Sequence, residues 1–313
     1  MFTPFFKSSL IASLFLFGIW GCASQTTQAP TPEDPVSSAA TGTIVLGDIS
    51  DDPTKKIKRY QPFADYLASQ LNDVGISQGA VQIVPDLDTM IQYLKSGEVD
   101  LYFDSPYPAM RTSEESGATP ILRRWKKGVE FYHTIIFTRA DSAITNLEDL
   151  NGNIIAFDEA VSTSGYMLPL AHLKKAGLTI TEKDTVSTTI STDEVGYVFS
   201  EDDDNSIQWT LTQRVDAAAV GSSDFAKIPE EARQQLRILA ETEAVPRQVV
   251  MVSPTLAPEE VSAIIEVLLT IGETEAEKEI LEKFEKTTKF DEFPGGVDAA
   301  FQRIRELYDL TQE

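Results

Sequence analysis

Apolar residues along this chain recur in short blocks that alternate between two periods, one suiting a buried strand and the other a single face of a helix. Thr43-Ile44-Val45-Leu46-Gly47 is a strand-length run, and residues 60–71 set Phe63, Leu67 and Leu71 on one helical face. Residues 81–84 read as a second strand. Residues 87–94 read as an amphipathic helix stopped at Gly97, and Val99-Asp100-Leu101-Tyr102-Phe103 as a third strand. Residues 131–138, rich in aromatic and β-branched side chains, predict a further strand, and Arg139-Ala140-Asp141-Ser142 a crossing out of the first layer.

The alternation then starts again. Residues 147–150 predict a short helix stopped at Gly152, and residues 154–157 a strand. The hydroxyl-rich Ser162-Thr163-Ser164-Gly165 opens a helix that runs through Leu168, Leu170 and Leu173 to Gly177. Strands are expected at 215–220, 237–240 and 248–252. From Pro258 the pattern is helical to the end, with Val261, Ile264, Ile265, Leu268 and Leu269 in one stripe, and the charge-rich stretch 273–286 as an exposed helix. The sum is an α/β fold of two lobes, each a mixed sheet flanked by helices, with a hinge between them. Residues 43–138 plus 248–313 form lobe 1 and residues 139–247 form lobe 2. A discontinuous lobe forces the chain to cross twice, and the cleft so made is where a small ligand settles.

The first residues change the compartment in which this body is read. Residues 1–21 hold one charge, Lys7, then an apolar run from Leu10 to Trp20, too short to span a bilayer and fitting a secretory signal. Ile19-Trp20-Gly21-Cys22 resembles a bacterial lipobox, which makes Cys22 the lipidated N-terminus of the mature chain. Residues 22–42, rich in Ser, Thr, Gln, Ala and Pro, read as a disordered tether. The expected location is the periplasmic or extracytoplasmic face of a membrane, held there by lipid. Cys22 is the sole cysteine, so the fold rests on packing without a disulfide.

Composition narrows the partners. A net charge of −23 disfavours nucleic acid, since no basic stripe offsets the repulsion. The two histidines, His133 and His172, stand in no metal-binding spacing. We therefore expect a monomeric binding protein rather than an enzyme, without metal or cofactor. The chemistry-bearing residues are Ser162, Thr163, Ser164 and Gly165. Hydroxyls and free N–H groups at the start of a helix converge on its partial positive charge and can cradle a tetrahedral oxyanion, with Gly165 allowing close approach. Ordinary helix capping needs only one such residue and is the competing reading. The run Glu201-Asp202-Asp203-Asp204 reads first as a solvated loop, with a cation site or a clamp on a positively charged ligand amine as the alternative. Arg111, Arg123, Arg124, Arg139 and Arg247 read by default as exposed salt-bridging residues, with a helper role in ligand binding as the alternative.

The segment from Asn146-Leu147-Glu148-Asp149-Leu150-Asn151-Gly152 through Ile155-Ala156-Phe157-Asp158-Glu159 to Ser162-Thr163-Ser164-Gly165-Tyr166 resembles the phosphate, phosphite and phosphonate-binding proteins of ABC transporters. The likeness continues at residues 44–47, 60–67, 97–101 and 215–220. It implies the type II periplasmic-binding-protein fold, phosphoryl contacts from the Ser-Thr-Ser-Gly turn, and a membrane permease as partner. It also implies side contacts from Ser105, Tyr107, Tyr132, Ser222 and Asp224. Tyr107 departs from the family's tyrosine position, Tyr132 equally suits the core, and Asp224 equally suits a helix cap. The expected function is capture of a small oxyanion (phosphonate, phosphite or phosphate) by an ABC-transporter lipoprotein. The alternative is a sensor or scaffold of the same fold with a retuned pocket.

Overall fold

The computed structural model describes residues 42–312; the segments read from the sequence as a secretion signal, a lipidated Cys22 and a tether lie outside the described residues, except that Gly42, the last residue of the expected tether, opens the first strand. The chain runs β1 (Gly42–Ile49), α1 (Pro53–Gln70), β2 (Ile76–Val84), α2 (Leu87–Ser96), β3 (Leu101–Asp104), α3 (Pro106–Ser116), β4 (Thr119–Lys126), β5 (Phe131–Tyr132) and β6 (Thr134–Arg139). It continues β7 (Ile154–Phe157), α4 (Leu168–Lys175), β8 (Ile180–Glu182), β9 (Val195–Phe199), α5 (Asp203–Leu211), β10 (Ala217–Gly221), α6 (Ser222–Phe225), α7 (Glu230–Arg233) and β11 (Leu236–Glu241). The return comprises β12 (Val245–Pro246), β13 (Gln248–Val252), α8 (Pro258–Thr270), α9 (Glu275–Lys283), β14 (Thr287–Asp291) and α10 (Val297–Gln312).

Two six-stranded mixed sheets result, ordered β14-β4-β13-β3-β1-β2 and β11-β6-β10-β7-β9-β8. In the first, β1 runs parallel to β2 and β3, whereas β13 and β14 pair antiparallel. Helices cover both faces, so strands such as β10 and β13 are buried along their whole length, and apart from Gln248 at the start of β13 they read as apolar runs. The two crossings pair with each other: β5 and β12 form a two-stranded antiparallel ribbon, Tyr132 opposite Val245 and Phe131 opposite Pro246.

Three expectations are corrected. The strand Thr134–Arg139, assigned from the sequence to the first lobe, stands in the second sheet between β11 and β10. The crossing is therefore at β5. An apolar, β-branched run satisfies its backbone equally well in either sheet, and only its antiparallel partners decide. The last third is not helical throughout, because β14 adds an edge strand to the first sheet. Phe284 and Phe290 stack on Phe63 at 4.2 and 5.8 Å, and Glu285 and Lys286 turn the chain with φ of 54° and 56°. Arg123 and Arg124, read as exposed, are buried on β4. Arg123 pairs with Asp291 at 2.7 Å, while Arg124 stacks on Phe284 at 4.9 Å.

α10 follows β14 yet packs on α3 and also on α4 of the second lobe. Glu243, just before β12, takes both Lys175 of α4 (3.0 Å) and Arg303 of α10 (2.6 Å). No helix among the described residues is long and apolar enough to cross a membrane.

Candidate ligand cleft

Parallel strands direct their carboxyl ends, and the helices that follow, to one side of each sheet. Here the two sets face each other. β1 and β3 bring Ile49, Asp104 and Ser105; the segment after β7 brings Asp158 and residues 161–164; the turn after β10 brings Asp224. They enclose a cavity of ≈ 570 Å³, large enough for a small organic anion. A second cavity of ≈ 730 Å³ adjoins it and shares Asp158, Glu159, Asp203 and Asp224 with it.

The hydroxyl turn lines the first cavity, through Ser162, Thr163 and Ser164. Ser162 caps the helix, its Oγ accepting the Gly165 N–H at 3.0 Å and donating to the Asp158 carboxyl. The turn Thr163–Met167 is wound as a π-helix before α4 begins, with the Met167 N–H reaching the Ser162 carbonyl at 3.0 Å. Widened turns of this kind are frequent at functional sites. The N–H groups of Thr163 and Ser164, in the first turn, have no intrahelical acceptor available. Ser164 Oγ makes no hydrogen bond among the described residues, whereas its carbonyl accepts from Thr134 Oγ1 at 2.6 Å. Thr163 Oγ1 accepts the Tyr107 N–H at 2.8 Å, so the first turn of α3 touches the hydroxyl turn across the cleft. The buried Tyr132 phenol on the hinge ribbon hydrogen-bonds with both Thr163 and Ser105. Hydroxyls from lobe 1, hinge and lobe 2 thus converge.

Ser105, Tyr132, Ser162, Thr163, Ser164 and Asp224 therefore share one cavity wall, and three other residues singled out in the sequence do not. The Tyr107 ring turns away, packing on Tyr308 at 5.4 Å and Tyr166 at 6.3 Å. Ser222 ties the end of β10 to β6, its N–H donating to the His133 carbonyl at 2.8 Å. Gly165 faces the protein: a Cβ there would lie 2.2 Å from Asp158 Cβ, so its smallness serves packing against the next wall residue rather than ligand approach. Asp224 does not cap α6, whose N-cap is Gly221.

The acidic run is the largest departure. Glu201, Asp202 and Asp204 are exposed, but Asp203 opens α5 with its carboxyl turned into the cleft against that of Asp224. Burial, then the charges of Asp158, Asp224 and Asp202, hold Asp203 up at about 8, so it is largely protonated at neutral pH. Asp158 is also raised, chiefly by burial. No group of three or more ligating side chains among the described residues is disposed to hold a metal ion. The sequence signal for Asp203 lay in the same four-carboxylate run; its backbone placement at the first turn of a helix after β9 was not visible there.

Lobe 1 supplies the opposite charge. Lys126, Arg247 and Gln248 line the same cavity. Arg247 stacks over the Tyr132 ring, 4.5 Å from its centroid, and forms no ion pair among the described residues. Burial first, then the positive charges of Arg124 and Arg247, lower Lys126 to about 8.

Two mixed sheets, a paired hinge ribbon and a polar cleft at facing strand ends define a bilobed solute receptor. Residues 49–294 match the family described as ABC transporter, phosphonate, periplasmic substrate-binding protein, and the chain belongs to that family. It is similar to XAC2383 from Xanthomonas citri, solved with chloride (28% identity, TM-score 0.80) and with ATP (27%, 0.80), each covering 87% of this chain and 99% of that one. It shares its fold with PhnD1 from Prochlorococcus marinus in complex with methylphosphonate (17% identity, TM-score 0.60, covering 86% of this chain and 98% of that one).

Proposed function

We propose that this protein is a lipid-anchored receptor that closes on a small phosphonate-class oxyanion bearing an ammonium group and delivers it to a membrane permease. The observation that carries the reading is the polarity of one cavity. Hydroxyls of Ser105, Tyr132, Thr163 and Ser164 and a helix N-terminus line it together with the carboxyls of Asp158, Asp203 and Asp224. An oxyanion alone would meet the hydroxyls but be repelled by the carboxyls; a zwitterion answers both. Burial and the neighbouring carboxylates keep Asp203 largely protonated, and an arriving ammonium displaces that proton. XAC2383, at 28% identity, has been solved with chloride and with ATP, both anions. Lipid attachment rests on Cys22 in its lipobox-like setting.

The test is titration calorimetry of the full-length chain in detergent with aminoethylphosphonate, methylphosphonate, phosphate and sulfate. Aminoethylphosphonate is expected to bind tightest and sulfate, which has no proton to donate and no amine, weakest. Ser164→Ala removes one hydroxyl with no other bond to lose and is expected to weaken binding by about 1.5–3 kcal/mol. Equal affinity for all four anions would remove the carboxylates from the site; no binding by any would end the oxyanion reading.

A further inference from the structure

Arg124 is 1% exposed, yet its Nε and Nη1 have no hydrogen-bond partner among the described residues. It lies between the rings of Phe284 and Phe103, at 4.9 and 5.5 Å, with no carboxylate in ion-pair contact. A buried guanidinium in this condition destabilises a fold, and replacing such a group by an apolar side chain of similar volume is commonly neutral or stabilising. Its one polar partner is the side-chain oxygen of Gln248, which stands opposite it across the β4–β13 pair.

Arginine carries only donors, so the amide edge that meets Arg124 has to be the oxygen. That leaves Gln248 Nε2, with two N–H groups, on the other edge. Gln248 is 5% exposed and lines the ligand cavity. The guanidinium of Arg247, one residue earlier, lies over the Tyr132 ring in the same wall. Two acidic residues of lobe 1 also line the cavity: Asp104 has its oxygens occupied by the Tyr102 hydroxyl and by the Ser105 N–H at 2.6 Å, and Asp86 accepts the Thr89 N–H at 2.8 Å as a helix cap.

We propose that the lobe-1 wall is a second grip on the ligand's negatively charged oxygens, formed by the Gln248 amide N–H groups and the Arg247 guanidinium, with Arg124 as the positioning residue that fixes the Gln248 amide. The inference rests on the oxyanion reading and extends it: closure presses the anion between the hydroxyl turn of lobe 2 and this cationic wall of lobe 1. The class of ligand group is an oxyanion with at least two unprotonated oxygens, one for each lobe.

The experiment uses the full-length chain and methylphosphonate, which has no amine to engage the acidic side. Thermal unfolding without ligand and calorimetric affinity are read on Arg124→Met, Gln248→Glu, Gln248→Leu and Arg247→Met. Arg124→Met is expected to unfold at the same or a higher temperature while binding about tenfold more weakly. Gln248→Glu gives Arg124 a carboxylate partner and is expected to raise the unfolding temperature while lowering affinity about a hundredfold. A purely structural role for Arg124 would move stability and leave affinity alone. Gln248→Leu and Arg247→Met are expected to lose about ten- to a hundredfold, the range for one hydrogen bond to a charged group. Wild-type affinity in Arg124→Met and Gln248→Glu overturns the inference, whereas failure of the unaltered protein to bind any oxyanion overturns the reading beneath it.

Discussion

Asp203 shows how a residue's meaning depends on its neighbours. In the chain it is one of four acidic residues in a row; in the fold its carboxyl lies against Asp224 and Asp158, and its pKa rises to about 8. A carboxyl whose folded pKa exceeds its unfolded value contributes stability that is complete below the ordinary aspartate range, near 3.9, and is lost as pH rises through about 8. Asp203→Asn is therefore expected to unfold at a higher temperature than wild type at pH 9, with the gap closing by pH 5. An ammonium ligand favours the ionised form, so wild type is expected to release a proton on binding aminoethylphosphonate at pH 7. Calorimetry in buffers of different ionisation enthalpy reads that proton, and the difference from Asp203→Asn isolates this carboxyl from Lys126. Identical buffer dependence in both proteins would show that Asp203 does not meet the amine.

At the scale of elements, α1 and β2 approach until backbone meets backbone. A Cβ on Gly79 would lie 2.3 Å from the carbonyl of Ala64, and Gln61 Nε2 bonds the Gly79 carbonyl at 2.8 Å. Pro62 sits inside the helix one residue from Gln61, removing an N–H that the helix would otherwise use. Because the obstructing atoms are main chain, relief requires the helix to shift off a core that includes Tyr60, Phe63 and Leu67. Gly79→Ala is expected to cost about 1–3 kcal/mol or more, read as a lower denaturant midpoint with unchanged slope. A neutral substitution would mean that α1 is not seated as described.

The whole molecule carries a net charge of −23 while its proposed ligand is an anion. Long-range repulsion slows encounter, and short-range donors in the cleft must supply the affinity. Screening shortens the field from about 30 Å at 0.01 M salt to about 8 Å at 0.15 M. The association rate of methylphosphonate is therefore expected to rise with added salt, and that of zwitterionic aminoethylphosphonate to change far less. Stopped-flow measurement across that range checks both; a falling rate for methylphosphonate would mean that the cationic lobe-1 wall, not the acidic exterior, governs the approach. α10 packs on both α3 and α4, and Glu243 pairs with Lys175 of α4 and Arg303 of α10, so both lobes are tied together on that side.

Local signals carried much of this architecture. Strand-length apolar runs placed β1, β3, β7, β10 and β13, glycine stops ended α2 and α4, and three hydroxyls before an apolar helix marked the turn that lines the cleft, because each depends on residues near one another in the chain. Whatever depended on distant partners was out of reach. Thr134–Arg139 could join either sheet, and β14 needed Phe63 to anchor the rings around it. Arg124 and Asp203, both polar, look like surface residues until strands and helices from elsewhere surround them. Periodicity reports which face of an element is apolar; only the packing of elements far apart in sequence decides which charged side chains lose their water, and those are the ones that shape this cleft.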